Sequence, residues 1–403
     1  MSAVMQKRDR GPLRLEVSRD TPHDEDFVRV DRDTFKTDLS TFLREGLDAQ
    51  SICSGVLFKY LYAPVSIGGV SPDSLWQKVL GLEDQFYYVF KQDVRLIQAN
   101  ESFFQSLSSL KPAVIDLGCG DSRAVLNKVI PTLRWSNASS YLAIDSSALY
   151  AENAANLVAM QIPQIPAKSL VCDYMKSPDV SVDAPRLILN YGCSMGQHPI
   201  KPQRGAAEGG SLGDLLDKLG QMVDHNAILL PTIDANTDEA AVINCYSGFH
   251  VSNFVRFLFA TMGAVLQSDP NPSSNYILVD GKKPNSPLPE SVILEKEFTK
   301  DRLIFSFVPK HDITIVIDDV QTIIPRGHRM EGGYSNRLSM SDLKKVSKKH
   351  GWVLAKTLTS PDNPIRGPVL LGCKVSDAER RAIGSNKFAS KKTGCSPQAF
   401  VAM

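Results

Sequence analysis

The segment Ala113-Val114-Ile115-Asp116-Leu117-Gly118-Cys119-Gly120-Asp121-Ser122 constrains the chain more than any other. Val114–Leu117 is a short apolar run of strand type, and a helical pattern through Ala124, Val125 and Val129 starts directly after the glycines. Strand, glycine turn and helix in succession open a doubly wound α/β sheet. In such sheets ligands sit at the carboxyl ends of the strands. Two glycines one residue apart let the backbone turn sharply and approach a ligand closely. A dinucleotide fold wants a third glycine to bring the helix amino terminus onto a pyrophosphate. Here Gly120 is followed by Asp121, Ser122 and Arg123, and an acidic residue in that turn would repel phosphate.

The next strand-like runs fit a ligand that lacks phosphates and carries an ammonium group, which describes S-adenosylmethionine (SAM). Tyr141–Ile144 ends on Asp145, placed to accept both ribose hydroxyls. Leu170–Cys172 ends on Asp173 and Tyr174, an acid for the adenine amino group and an aromatic to cover the ring. The same two acids would also serve as helix caps, and the residues alone leave that alternative open. Further runs at Leu187–Leu189 and Ile228–Leu230 predict a mostly parallel sheet with helices on both faces.

Other stretches surround this core. Phe27 to Leu110 reads as mainly helical, with Phe35, Leu39, Phe42 and Leu43, then Leu75, Val79 and Leu82, at helical spacing. Beyond Asp234 the pattern is mixed. A helical stretch at Ser252–Met262 precedes strand-like runs at Val292–Phe298, Leu303–Val308 and Ile313–Val320, which suit antiparallel pairing in a second, smaller α+β unit. Ser339–Gly351 reads as a helix and Pro368–Val375 as a last strand.

Composition narrows the function. A chain of 403 residues is long enough for two ordinary cores. Its 45 Lys+Arg against 44 Asp+Glu leave a net charge of +1, no footprint for nucleic acid or an anionic membrane. No apolar run approaches the roughly 20 residues that span a bilayer, so a cytoplasmic protein is expected. The seven cysteines include no Cys-x-x-Cys pair, and the seven histidines show no ligand spacing, so neither a disulfide framework nor a metal site is expected. Ser194 lacks the flanking glycine pattern of a hydrolase nucleophile.

Several segments, in order, resemble the histidine-specific SAM-dependent methyltransferase family, which includes the ergothioneine-pathway enzyme. Asp116–Ser122 resembles the SAM motif of class I methyltransferases. Tyr191-Gly192-Cys193-Ser194-Met195-Gly196-Gln197 is similar to the family's Gly-Ser-Thr-Ile-Gly-Asn segment. Ile228–Asp234 is similar to its Leu-Leu-x-Gly-x-Asp strand, and Cys245–Gly248 to its Ala-Tyr-Asp segment. Upstream, Phe58–Tyr62, Leu75-Trp76 and Tyr87-Tyr88 resemble its Phe-Tyr-Asp, Leu-Phe and Glu-Tyr-Tyr-Pro elements. Gly327–Ser339 aligns with Gly-Glu-x-Ile and Glu-x-Ser-x-Lys-Tyr.

The resemblance implies a class I SAM-methyltransferase fold, with a Rossmann-like, mostly parallel sheet and a smaller α+β substrate domain. The expected division is a disordered terminus at 1–26, a substrate domain of 27–88 plus 236–335, a SAM domain of 89–235 plus 336–376, and a basic flexible tail at 377–403. Asp116, Gly118, Gly120, Asp145, Asp173, Tyr174, Tyr191 and Gly192 are the expected cofactor residues. Tyr62 and Tyr87 would hydrogen-bond the acceptor amine and guide its proton to water. Trp76, Tyr88, Gln197, Tyr246, Ser335 and either Gly333 or Glu331 would face the substrate. Two departures stand out. Gln197 replaces the family's shorter Asn, and the Glu that orients an imidazole falls on Gly333, with Glu331 two positions earlier. Losing that carboxylate argues against histidine itself as substrate. The expected activity is N-methylation of another amino acid or an amino-acid-derived metabolite, of a kind found in secondary metabolism. O- or S-methylation, and a non-catalytic partner with a SAM fold, are the alternatives.

Overall fold

The computed structural model describes residues 16–17, 32–47, 79–80, 86–174, 180–181, 185–200, 211–223, 227–248, 252, 266, 271–284, 288–299 and 301–372. Helix α1 (Arg32–Leu47) buries Leu39, Phe42 and Leu43, one apolar side of the helical spacing. Helix α2 (Tyr88–Ala99) buries Val89, Leu96 and Ile97, and with them a charged residue, Asp93. Strand β1 (Ala113–Leu117) follows, buried along its whole length as a central parallel strand should be.

The helical run after the glycine turn spans 122–135 and is not uniform. Asp121 caps it by accepting from the Ala124 backbone N–H at 3.0 Å, and Val125–Val129 forms a π-helical turn inside it. Then come β2 (Ser140–Asp145), α3 (Ala148–Gln161) and β3 (Ala167–Val171). Next are β4 (Arg186–Asn190), α4 (Leu212–Met222) and β5 (Ala227–Pro231). Ser211 and Asp214 start α4 with a reciprocal capping box.

After the short helix α5 (Glu239–Cys245) the chain leaves the sheet and builds two small antiparallel sheets. One joins β6 (Tyr276–Val279) to β9 (Ile313–Ile317) and β10 (Val320–Ile324). The other joins β7 (Val292–Thr299), β8 (Arg302–Pro309) and β11 (Met330–Asn336). The expected single strand Ile313–Val320 is in fact a hairpin. Asp318 and Asp319 take φ of 47° and 65°, the left-handed pair that a two-residue turn requires. Strand β11, MEGGYSN, has no apolar alternation to announce it, and it is held by pairing with β8 instead.

The chain then returns through α6 (Met340–Lys349), capped by Ser339, to β12 (Trp352–Leu358) and β13 (Ile365–Gly372). The central sheet runs β12-β13-β5-β4-β1-β2-β3, with β13 antiparallel to both neighbours and the rest parallel. Chain order reverses between β1 and β4, so the carboxyl ends of those strands diverge into a crevice. One face of the sheet carries Ile115, Leu142, Leu229 and the fully buried Trp352, whose indole N–H donates to the Leu216 carbonyl at 2.9 Å. The other face carries Val114, Tyr141 and Leu187 in one continuous core with Phe305, Phe307 and Ile315 of the small sheets. No helix among the described residues is long and apolar enough to cross a membrane.

Candidate active site

A cavity of about 280 Å³ lies at the reversal point, bounded by the ends of β1, β2 and β4 and by β8 and β11 across from them. Gly118 and Gly120 sit in its wall with φ of 66° and 68°. A Cβ on Gly118 would meet nothing within 4 Å, so the backbone there lies open to a ligand.

Carboxylates surround this half. Asp116 is buried and accepts the Tyr141 hydroxyl at 2.9 Å; burial pushes its carboxyl up to about 7. Asp145 ends β2, accepting the Ser147 backbone N–H at 2.9 Å through Oδ1 and facing the Gly120 N–H at 3.5 Å through Oδ2. Asp121, the acid expected to repel phosphate, is turned onto its helix as a cap, and desolvation raises its carboxyl. Tyr150 and Tyr174 complete this side.

Lys128 reaches the same wall from the π-helical turn. Its ammonium lies 3.0 Å from Asp93 Oδ2, and the Gly192 backbone N–H donates to the same oxygen at 2.9 Å. One carboxylate on α2 therefore ties the helix after β1 to the loop after β4. Tyr191, in that loop, shares a 3.0 Å hydrogen bond with Thr132, and burial holds its phenol protonated.

The opposite half is aromatic and hydroxylic. Tyr246 meets Tyr87 edge-on at 5.8 Å between ring centroids and Phe305 at 5.2 Å. Its hydroxyl lies 3.4 Å from Ser335 Oγ, which accepts from Arg337 Nη1 at 2.7 Å. Arg337 is almost wholly buried, with Nε 3.4 Å from Asp234 Oδ2. Asp234 also accepts the Tyr88 hydroxyl at 2.7 Å and the Asn236 backbone N–H at 2.9 Å. Burial raises the Tyr246 phenol, against the opposing pull of Arg337; burial and then Asp234 raise that of Tyr88. Both hydroxyls are donors rather than bases.

The cavity thus brings together Tyr87, Asp116, Gly118, Gly120, Asp145, Tyr174, Tyr191, Gly192, Gln197, Tyr246 and Ser335. Asp173 adjoins Tyr174 without lining the cavity, and Tyr88 stands behind the wall on Asp234. On β11, Gly333 pairs with Phe305, while Glu331 pairs with Ser306 across a bulge and does not line the cavity. Tyr62 and Trp76 lie outside the described residues. Sequence reading missed Arg337, Asp234, Phe305 and the Asp93–Lys128 pair. A spacing of two from Ser335, one residue past the end of β11, is the signal that would have found Arg337. For Lys128 it is one basic residue in an otherwise apolar stretch of helix.

These residues fit SAM: an open glycine turn, an acid at the end of the second strand, and aromatics and a lysine around them. A profile described as histidine-specific, SAM-dependent methyltransferase matches residues 44–277. No curated protein sequence matches the chain significantly. Among solved structures, the magnesium protoporphyrin IX methyltransferase of Synechocystis PCC 6803 with bound SAH is similar at 11% identity and TM-score 0.38, over 74% of this chain and 94% of that one. The sugar N-methyltransferase KedS8 of Streptoalloteichus sp ATCC 53650 is similar at 7% identity and TM-score 0.31, over 68% and 86%. The O-methyltransferase NcsB1 from neocarzinostatin biosynthesis is similar at 9% identity and TM-score 0.38, over 85% and 69%. The profile covers more than half of the chain and accords with the site built above: the protein is a SAM-dependent methyltransferase and belongs to the histidine-specific methyltransferase family.

Proposed function

We propose that the enzyme methylates the amino group of an amino acid or an amino-acid-derived metabolite other than histidine. The observation that carries the reading is the second half of the cavity. Tyr87, Gln197, Tyr246 and Ser335 converge there opposite the glycine turn, on a scale suited to a small molecule. Asp145 is assigned the ribose hydroxyls, Gly118 and Gly120 the close backbone approach, and Tyr174, with Asp173 beside it, the adenine. Tyr191 and Gly192 hold the loop between the two halves.

SAM supplies an electrophilic methyl group on its sulfonium. The protein's part is to hold a lone pair about 3 Å from that carbon and in line with it, and positioning of this kind supplies much of the rate. Tyr87 and Tyr246 orient the acceptor by hydrogen bonding. The protonated state of Tyr246 assigns it no role in removing a proton, so the amine loses its proton to water before attack. Gly333 leaves no carboxylate on the stretch of β11 that faces Phe305, which removes the partner an imidazole ring would need. The expected division of labour follows: 89–235 plus 336–376 holds the cofactor, and 27–88 plus 236–335 closes on the acceptor.

Calorimetric titration with S-adenosylhomocysteine, followed by incubation with isotopically methyl-labelled SAM and a panel of amino acids and amines, tests this. Label recovered on nitrogen is the expected result. Label on oxygen or sulfur transfers the reading to that acceptor. Cofactor binding with no transfer leaves a non-catalytic partner.

A further inference from the structure

Three carboxylates and one ammonium meet at the cofactor half of the cavity, and they are not equally provided for. Asp93 holds the Lys128 ammonium at 3.0 Å and the Gly192 backbone N–H at 2.9 Å. Asp145 faces the Ser147 and Gly120 backbone N–H groups and the Cys119 thiol. Asp116, at the end of β1, lines the cavity while only 2% exposed, and it accepts from a neutral group, the Tyr141 hydroxyl at 2.9 Å. Among the described residues no lysine or arginine is paired with it.

A buried carboxyl without a cation keeps its proton until a cation arrives. The groups that face Asp116 leave that part to a ligand. From β2 come Tyr141 and the like charge of Asp145, and from the helical run 122–135 comes Lys128, already taken by Asp93. From the glycine turn and the loop after β4 come Cys119 and Tyr191, both held protonated by burial. Burial outweighs the pull of Tyr141 and Lys128 and pushes the Asp116 carboxyl up to about 7, where a nearby charge moves it across neutrality.

SAM and its product differ by a charge that such a carboxyl reads. Both carry the same ammonium and carboxylate, and SAM adds a sulfonium. Methyl transfer breaks the carbon–sulfur bond, leaves its electron pair on a neutral thioether and passes the positive charge to the acceptor. We propose that Asp116 selects the charged cofactor over the spent one by exchanging a proton with solvent: it releases the proton when SAM binds and takes one back when S-adenosylhomocysteine is left behind. Ionised, it attracts the sulfonium; reprotonated, it sits beside the thioether without an uncompensated buried charge. This property belongs to the cofactor side and holds whichever atom accepts the methyl.

The test is calorimetric titration of the full chain, without acceptor, with three probes. They are SAM, S-adenosylhomocysteine and sinefungin, whose amine supplies a positive charge where SAM has its sulfonium. Each is titrated near pH 6.5 in two buffers of different ionisation enthalpy, which counts the protons released. A cation that eases ionisation of Asp116 tenfold makes SAM and sinefungin release about half a proton each, and S-adenosylhomocysteine close to none. The preference for SAM over S-adenosylhomocysteine should then rise about sixfold between about pH 5.5 and about pH 7.5 and level off above, where Asp116 is ionised before any ligand binds. Asp116→Asn keeps a partner for Tyr141 and cannot ionise, so it should release no such proton and hold the preference flat with pH. Tyr141→Phe removes a donor that favours the anion, so proton release on SAM binding near pH 7.5 should exceed that of wild type.

Equal proton release by SAM and S-adenosylhomocysteine in wild type overturns the proposal, as does an Asp116→Asn variant that keeps the difference. Retained S-adenosylhomocysteine affinity shows that the variant is folded. Were that affinity lost, the wild-type proton counts and Tyr141→Phe would still decide.

Discussion

Asp116 shows how a single residue at the end of a buried strand couples the site to solution conditions. Its carboxyl is pushed from an ordinary 3.8 up to about 7, chiefly by burial, with Tyr141 and Lys128 opposing. A carboxyl that holds its proton more tightly folded than unfolded gives the folded chain the extra proton between those two values. Stability therefore falls as pH rises from about 4 to about 7, and stays lowered above that window. Asp116→Asn keeps a partner for the Tyr141 hydroxyl and cannot ionise. The wild-type urea midpoint is expected to decline across that window more steeply than the variant's; parallel profiles would show that Asp116 does not carry the effect. Asp145 makes a separate prediction. Asp145→Ala removes the acid assigned to the ribose, and S-adenosylhomocysteine should bind roughly ten- to hundredfold more weakly, since a hydrogen bond to a charged group contributes about 1.5–3 kcal/mol. An unchanged affinity would move the ribose elsewhere.

Among the elements, the helical run 122–135 holds the least obvious device. A π-helical turn inserts one residue into the helix and re-aims those beside it, and here it carries Lys128 onto Asp93 of α2. Asp93 also takes the Gly192 N–H, so three elements meet on one buried carboxylate. Lys128→Met leaves that carboxylate uncompensated, a loss of about 3–5 kcal/mol when one partner of a buried pair is removed. The double variant Lys128→Met/Asp93→Leu should recover part of it, read by urea denaturation; a single variant as stable as wild type would mean the pair is not coupled.

What was legible in the sequence divides at this scale. Strands β1, β2, β4 and β5 announce themselves because parallel central strands are apolar throughout, and the Gly118-Cys119-Gly120 turn announces the ligand end of the sheet. Strand β11 stays hidden because its MEGGYSN residues are chosen for the cavity and for the bulge opposite Phe305 and Ser306, not for a core. Asp234 closes the Ile228–Asp234 segment and Arg337 follows Ser335 by two, so each position carries a local signal, but their pairing across more than a hundred residues is something no local pattern encodes.

For the whole molecule, the decisive feature is that the cavity is walled by both the central sheet and the small sheets, and that one continuous core runs beneath it. Val114, Leu187 and Leu230 of the sheet pack in the same cluster as Phe305, Phe307 and Ile315. At Gly196 the turn after β4 comes so close to β11 that an added Cβ would lie 3.0 Å from the Asn336 carbonyl. Two units joined this way have little reason to melt separately, because unfolding either one exposes the shared apolar surface of the other. The expected behaviour is one cooperative transition, with calorimetric and van't Hoff enthalpies in agreement. S-adenosylhomocysteine at about a hundred times its Kd should then stabilise the whole chain by about 2.7 kcal/mol, although its assigned contacts lie on the sheet side alone. Two transitions, only the first of them moved by S-adenosylhomocysteine, would show instead that the acceptor wall folds independently. Closure on the acceptor would then be a docking of separate bodies, whereas a shared core makes binding in one half tighten the other.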